Sequence, residues 1–498
     1  MKSKVAVDNQ NHNTDVNLPL QAKGDTPIPV SEFPSTSVFN QSTTFPALII
    51  PVKRTAELRN SLSSVLLHRP KTRNVYPHDE GDNSKRKLVL KNRDAWHDEG
   101  VQRLLSEGCE KSDHTITVKY EDLTVEEVLK QLLPDDIQEL PSAFELVGKL
   151  AHLNLRDEVL PYKYIVGKVI LDKNSPRIKT VVNKLGSIAN EYRTFGMEVI
   201  AGYDGPNWSL VSLKEEGCQF SLDFQQVYWN SRLGAEHKRL VKLIKKDAQQ
   251  QTDKPIVVAD LMAGVGPFAV PLTECLPPKG GHQKKYKQSN SATNIVVHAN
   301  DLNPASYKYL KINAEQNKCP ADRLYCYNMC GRAFCHKVQE RGDGDKKPVE
   351  FQHAIMNLPA SAPEFLDAFR GFSNITLPRI HVYCFAPKFA PPLGDETANE
   401  NSMNEDEVNA SVRERCSSAL GCPLDASKHN ITIRIVRDVS PNKNMLCVSF
   451  NLPEEVRKLP RINVSERKKE EEKEEAQDSK EDHQSTSEPE TKRAKTSS

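Results

Sequence analysis

No stretch of this 498-residue chain reaches the roughly 18 apolar residues that a membrane-crossing helix takes, so the sequence reads as a soluble protein. Its eleven cysteines show no paired framework, which argues for a reducing compartment over a disulfide-stapled scaffold. Cys326, Cys330 and Cys335-His336 are spaced C-x3-C-x4-C-H. That matches neither a zinc C-x2-C pair nor a common iron–sulfur pattern, so buried thiols are expected and no metal. Net charge is only +1, and no global field announces a partner. The first residues lack the Arg-rich, acid-poor composition of an import presequence, because Lys2, Lys4 and Lys23 are offset by Asp8, Asp15 and Asp25. No phosphate-binding GK[ST] motif occurs, and no oligomerisation motif, so a monomer is expected.

What is present falls into five parts. Residues 1–42 are rich in Asn, Ser, Thr, Pro and Asp, and read as a disordered N-terminus. Residues 43–112 form a small basic unit. Between Lys53 and Arg93 stand eleven Lys or Arg against four acids, and Leu58, Leu62, Val65 and Leu66 recur at helical spacing. Such a basic face suits a phosphate backbone, although a merely solvated surface has the same composition. Residues 113–205 read as mixed α/β, with a helix at Val125 to Leu133 and strands at Ile165 to Leu171 and Thr180 to Val182. Residues 206–455 are the large domain, and 456–498 a charged tail too polar to bury a core.

The large domain alternates strand-like runs (at Val257, Ile295, His353, Ile380, Ile431 and Met445) with helical patterns such as Tyr307 to Asn317 and Glu364 to Phe372. Alternation predicts a doubly wound parallel sheet. The linker 438–444 is too short for a crossover, so the last two strands should form an antiparallel hairpin. Pro277 to Asn294 and Asp395 to Ser411 read as loop insertions.

The chemistry centres on Ile256 to Phe268, an apolar run ending in Asp260 and followed by a loop with Gly264 and Gly266. This is a strand, a tight turn and a helix start, and glycines there let backbone approach a ligand. An ordinary βα turn has the same pattern. A second strand, Ile295 to Asp301, also ends in an acid, of the kind that holds ribose hydroxyls about 20 residues past the glycines. Asp301 lies 37 positions after Gly264, but without the 18-residue insertion the spacing is 19. A ribose acid without a phosphate motif favours S-adenosylmethionine as ligand. Asn357, just past the strand 353–356, is placed either to read the flat edge of a base or to cap the next helix. Glu236 and His237 open a helix before the first strand, either as a base and a cofactor contact or as exposed helix residues. Arg193 is either a functional cation or half of a local ion pair.

Taken together, NLRDE (154–158), YRTFGMEVIAG (192–202), VYWNSRLGAEHKR (227–239), DLMAGVGPFAVP (260–271), NDLNP (300–304), NLPA (357–360) and SPNKNMLCVSF (440–450) resemble the tRNA guanine-37 N1-methyltransferases of eukaryotes and archaea. The resemblance covers roughly residues 116–452. It implies a Rossmann-like class I methyltransferase domain, preceded by small α+β RNA-binding domains, acting on tRNA with S-adenosylmethionine. By this resemblance Glu236 takes the guanine N1 proton, Arg193 steadies charge on the base oxygen and Asn357 positions the base. His237, Asp260, Gly264, Gly266, Asp301, Leu302, Cys330, Gly331 and Asn357 would serve the cofactor. One residue departs from the pattern: Cys330 stands where relatives commonly carry an acid, and a thiol does not replace a carboxylate's hydrogen bonds to adenine. The family also implies cytoplasm, nucleus and mitochondrial matrix as locations. Two rivals are the wybutosine-pathway aminocarboxypropyl transferase and a non-catalytic RNA-binding protein that keeps the fold.

Overall fold

The computed structural model describes residues 19–21, 27–29, 33, 35–78, 82–186, 192, 194, 196–251, 254–273, 294–340, 348–389, 404–440 and 442–463. Arg193, the 277–293 part of the first insertion, 395–403 of the second and the tail beyond 463 lie outside them, as does most of 1–42. Two compact units emerge: Met1–Ser187 with Phe195–Trp208, and Ile188–Thr194 with Ser209–Ser498.

In the first unit, an antiparallel sheet runs in the order Val75–Pro77, Lys85–Val89, Gln41–Pro51, Glu110–Val118. One face packs on the helices Thr55–Ser61 and Glu99–Ser106 through Leu58, Leu62, Val65, Leu66, Val101 and Leu104. Ala47, Val89, Ile116 and Val118 join a second core, shared with the helix Val125–Leu132 and a second four-stranded sheet. The strand Glu110–Val118 therefore runs through the expected boundary at 112. Order also starts earlier than 43: Pro19–Gln21 pairs with Pro27–Pro29, and Phe39 is buried against Tyr120.

Ile165 to Leu171, expected as a strand, lies inside a helix, Lys163–Asn174. A continuous apolar run does not by itself separate a buried helix from a buried strand. Here Ile165, Val166, Val169 and Ile170 form a helical stripe in the core. Gly167 lets the helix approach the strand Gly196–Gly202, where a Cβ would lie 2.9 Å from Ile200.

The second unit is built on one seven-stranded sheet: β1 (Ile256–Asp260), β2 (Ile295–Asn300), β3 (Leu324–Tyr327), β4 (His353–Met356), β5 (Arg379–Pro387), β6 (Thr432–Ser440) and β7 (Lys443–Asn451). Their order is β3-β2-β1-β4-β5-β7-β6. All pairs among β1 to β5 are parallel, whereas β7 runs antiparallel to both β5 and β6. This is the expected doubly wound sheet with a C-terminal hairpin. The helices are α1 (Gly234–Gln250), the short α2 (Ala269–Leu272), α3 (Pro304–Gln316), α4 (Gly331–Glu340) and α5 (Glu405–Leu420). Strand order reverses between β1 and β4, and ligands of such sheets bind at the carboxyl ends there.

Three local expectations change. The pattern at Glu364 to Phe372 forms a 3-10 helix, Ala362–Phe369, where the buried Arg332 guanidinium donates to the Glu364 carbonyl and competes for its helical bond. Residues 405–411, expected within the acidic loop, are instead the start of α5, capped by a reciprocal Asn404–Glu407 pair. Acids suit the positive end of a helix, and Val408, Val412, Cys416 and Leu420 bury one stripe of it. Finally, the chain stays packed past 456: Val456 is fully buried and Arg457 donates to the Asn374 and Ile375 carbonyls.

Candidate active site

The loop after β1 is shaped by its glycines. Gly264 has φ +55° and Gly266 φ +97°, in the left-handed half of the map that side chains avoid. A Cβ at Gly266 would sit 2.7 Å from Leu310 and 2.8 Å from Val270, so this glycine lets the loop close onto α3. A Cβ at Gly264 would meet nothing within 4 Å, which leaves that side of the loop open. Buried asparagines hold the loop. The Ala263 amide donates to the Asn300 carbonyl (2.7 Å), and Asn313 Nδ2 donates to the Val265 carbonyl (3.0 Å). The Asn300 side chain also bridges the Leu261 and Met329 backbones.

Both predicted carboxylates meet at this loop. Asp301 Oδ2 accepts from the Gly264 amide at 2.8 Å, and its Oδ1 accepts from the Asn303 amide at 2.9 Å. Burial pushes the Asp301 carboxyl upward, and those two amides with Ser306 oppose the shift. Asp260 is fully buried, and among the described residues no group other than the nearby Met262 amide approaches its oxygens as a donor. Burial first, and the Asp301 charge second, raise its carboxyl well above the usual range. Ionising so buried a carboxyl is costly, and a cation brought to this spot would offset that cost.

Gly331 opens α4 against the loop, its missing Cβ 3.3 Å from Met262 Cε. Cys330 beside it is half-buried, and Leu302 is exposed. His237 is buried, its Nδ1 2.6 Å from Glu215 Oε1 and its ring edge-on to Phe268 with centroids 4.8 Å apart. That sets it beside the far end of the glycine loop. The open cradle at Gly264, the buried Asp260 and the amide-held Asp301 suit a ligand with a ribose and a cationic group. S-adenosylmethionine is such a ligand.

Glu236 is also buried, contrary to an exposed helix residue. Arg239 donates to both its oxygens (Nε to Oε2 2.7 Å, Nη2 to Oε1 2.6 Å), and the Tyr383 hydroxyl donates to Oε1 at 2.8 Å. Three bonds on about four acceptor positions leave room for one more donor. Asn357 follows β4, the neighbour of the strand carrying Tyr383. Its Oδ1 is buried and accepts nothing. Ser361, not Asn357, precedes the 3-10 helix, so the capping alternative is set aside.

The structure thus gathers Asp260, Gly264, Asp301, Gly331 and His237 around one loop, and puts Glu236 and Asn357 on neighbouring elements. Reading the sequence missed Arg239, Tyr383, Asn300 and Asn313. The first two sit inside quoted or apolar runs, where only a polar residue among core positions marks them.

Comparison with known proteins gives the family and the fold. Residues 211–391 match the TRM5/TYW2 methyltransferase domain, and 125–205 the TYW2 N-terminal domain. A Phaeodactylum tricornutum tRNA (guanine(37)-N(1))-methyltransferase is 55% identical over 438 residues, covering 87% of this chain and 91% of that protein. The chain belongs to the tRNA (guanine(37)-N(1))-methyltransferase family. A family member from Schizosaccharomyces pombe is 35% identical over 463 residues, covering 84% of this chain and 93% of that protein. The crystal structure of Trm5b from Pyrococcus abyssi shares the fold, with a TM-score of 0.54 at 22% identity over 82% of this chain and 99% of that one. The complex structure of aTrm5 and tRNALeu superposes with a TM-score of 0.52 at 21% identity, over 82% of this chain and 99% of that one. Among the described residues, no helix is long and apolar enough to cross a membrane.

Proposed function

We propose that this family member transfers a methyl group from S-adenosylmethionine to N1 of guanine 37, the base next to the anticodon of tRNA. The observation that carries this reading is 55% identity, along 87% of the chain, to a protein of that name. The site is chemically suited to it.

Asp260, Asp301, Gly264, Gly266, Gly331, Leu302, Cys330 and His237 would hold the methyl donor. When bound, its sulfonium supplies an electrophilic methyl and a good leaving group. The protein's tasks are then positioning and proton removal. Guanine N1 carries a proton at neutral pH, so its lone pair is free only once a base takes that proton. Glu236 takes it at the acceptor position its three partners leave open. The unpartnered Asn357 Oδ1 accepts from the base's exocyclic amine. Arg193 stabilises the developing negative charge on the base oxygen. The base leaves its stack to reach these groups. The basic unit within 43–112 contacts the tRNA body. A groove of about 650 Å³ there, lined by Arg59, His68, Arg69 and Arg73, fits a phosphate backbone. The enzyme acts as a monomer, in the cytoplasm, nucleus and mitochondrial matrix.

Nucleoside mass spectrometry tests the reading. An unmodified tRNA with guanine at position 37 should gain one methyl at N1, and a transcript with adenine there should gain none. An aminocarboxypropyl adduct would move the chain to the wybutosine pathway. No product despite cofactor binding would sink the substrate assignment.

A further inference from the structure

A two-stranded hairpin, Leu210–Glu215 with Cys218–Asp223, precedes α1 and turns on Glu216 and Gly217. Both turn residues have positive φ (47° and 82°), the geometry of a tight hairpin turn whose twist matches its strands. Two asparagines dock this hairpin. Asn317 Oδ1 accepts from the Gln219 amide at 2.8 Å, and its Nδ2 donates to the Gln219 carbonyl at 2.6 Å. Asn313 on α3 is fully buried, and its Oδ1 accepts from the Ser221 amide at 2.8 Å. The same side chain holds the Val265 carbonyl of the glycine loop. One asparagine therefore ties the hairpin to the loop.

This frame carries Glu215 at its turn. Glu215 Oε1 lies 2.6 Å from His237 Nδ1, in a pair whose side chains are 13% and 4% exposed. The other oxygen lies over Gly234, the first residue of α1, where a Cβ would come within 3.1 Å of it. Gly234 has an ordinary helical backbone (φ −55°, ψ −38°), so its lack of a side chain serves the carboxylate and not the chain's path. The positive end of α1 suits the charge placed there. A carboxylate only accepts, so the proton of this bond sits on His237 Nδ1. Phe268 and Trp229 pack on the ring, and among the described residues its Nε2 makes no hydrogen bond.

We propose that Glu215 is a positioning residue for the methyl donor: it grips His237 through Nδ1 and so aims Nε2 at the α-carboxylate of S-adenosylmethionine. The inference rests on the reading of His237 as a cofactor contact. The ligand's other polar groups have better partners. Asp301, held at the Gly264 amide, suits the ribose hydroxyls, and the buried Asp260 suits a cationic group. Neither acid suits an anion. His237, set by Phe268 at the end of the loop, is the donor left for the carboxylate. In the complex Nε2–H donates to it, and the imidazolium stands between two carboxylates, one from the ligand and one from Glu215. Glu215 itself touches no part of the ligand, so it acts through His237.

The test is calorimetry of the full-length protein without tRNA, so that no turnover occurs. Two ligands are compared: S-adenosylmethionine and its decarboxylated form, which keeps the adenosine, the sulfonium and the ammonium. The wild type should prefer the carboxylated ligand. In Glu215→Gln, which keeps the shape and removes the charge, that preference should fall by roughly tenfold, with binding of the decarboxylated ligand little changed. Glu215→Asp keeps the charge but withdraws it from the ring by one methylene, and it should lower the preference too. A merely structural hairpin residue would weaken both ligands together. That outcome, an unchanged preference in the variants, or no preference in the wild type would overturn the proposal. Failure of the underlying reading looks different, because His237→Ala would then bind S-adenosylmethionine as the wild type does. If Glu215→Gln does not fold, Glu215→Asp carries the test alone.

Discussion

Glu236 shows what one side chain's surroundings add to its chemical type. Its carboxylate is buried, held by a two-point Arg239 pair and by Tyr383. A fork of this kind fixes where the oxygens point as well as their charge. Replacing the acid by its neutral isostere keeps the shape and removes the basicity. Glu236→Gln should therefore lower the single-turnover methyl-transfer rate by roughly 10²–10⁴-fold, with S-adenosylmethionine affinity measured by calorimetry little changed. A loss of cofactor affinity equal to the loss of rate would reassign the residue to binding. At this scale the sequence was legible in part. Asp260, Asp301 and the glycines stand out because strand and loop chemistry separate them from their neighbours. Arg239 and Tyr383 did not stand out, because one reads as an ordinary exposed helix cation and the other as an aromatic in a core strand.

At the level of elements, periodic segments with clear stops were readable, and those serving two roles were not. The strand–loop–helix unit at β1 was legible because Val257 and Val258 end in an acid and two glycines. The helix Lys163–Asn174 was not, because Tyr164 and Leu171 add apolar surface beyond the buried stripe and leave the Lys168–Asp172 pair a narrow polar face. Acids in the first turn of α5 read as a loop until their capping partner is seen. The glycine loop gives a direct test. At Gly266 any side chain meets both a positive φ and the Leu310 and Val270 side chains. Gly266→Ala should destabilise the protein by about 1–3 kcal/mol and weaken S-adenosylmethionine binding, read by thermal unfolding with and without the ligand. Gly264→Ala keeps the backbone strain but meets no neighbouring atom, so its loss of stability should be smaller. Equal losses would mean that crowding against α3 does not set the loop.

For the molecule as a whole, the buried imidazoles make stability depend on pH. His353 sits at about 4 in the folded chain, against 6.5 for an ordinary histidine. Its folded value is depressed, so the unfolded chain binds more protons between those values. The stability it contributes is complete above about 6.5 and is lost as pH falls toward about 4, which amounts to roughly 3 kcal/mol. His381 acts in the same direction. Asp260 and Asp301 act in the opposite one, because their raised carboxyls favour the protonated, folded form as pH falls. Comparing wild type with His353→Gln in denaturant titrations separates the terms. The wild type's advantage at pH 7 should shrink as pH is lowered toward 4, and an advantage that does not change with pH would show that His353 is not buried as a neutral ring.

The position of β7 has a consequence for how the protein is made. It is the last strand among the described residues, yet it lies inside the sheet, between β5 and β6. While the ribosome is still upstream of Lys443, β5 presents an open hydrogen-bonding edge and β6 has no partner. Tyr383 and His381 then lack the neighbours that bury them. The sheet of the methyltransferase domain is complete only once β7 has emerged to join β5 and β6. Until then the open β5 edge is a surface that other nascent chains or chaperones can pair with.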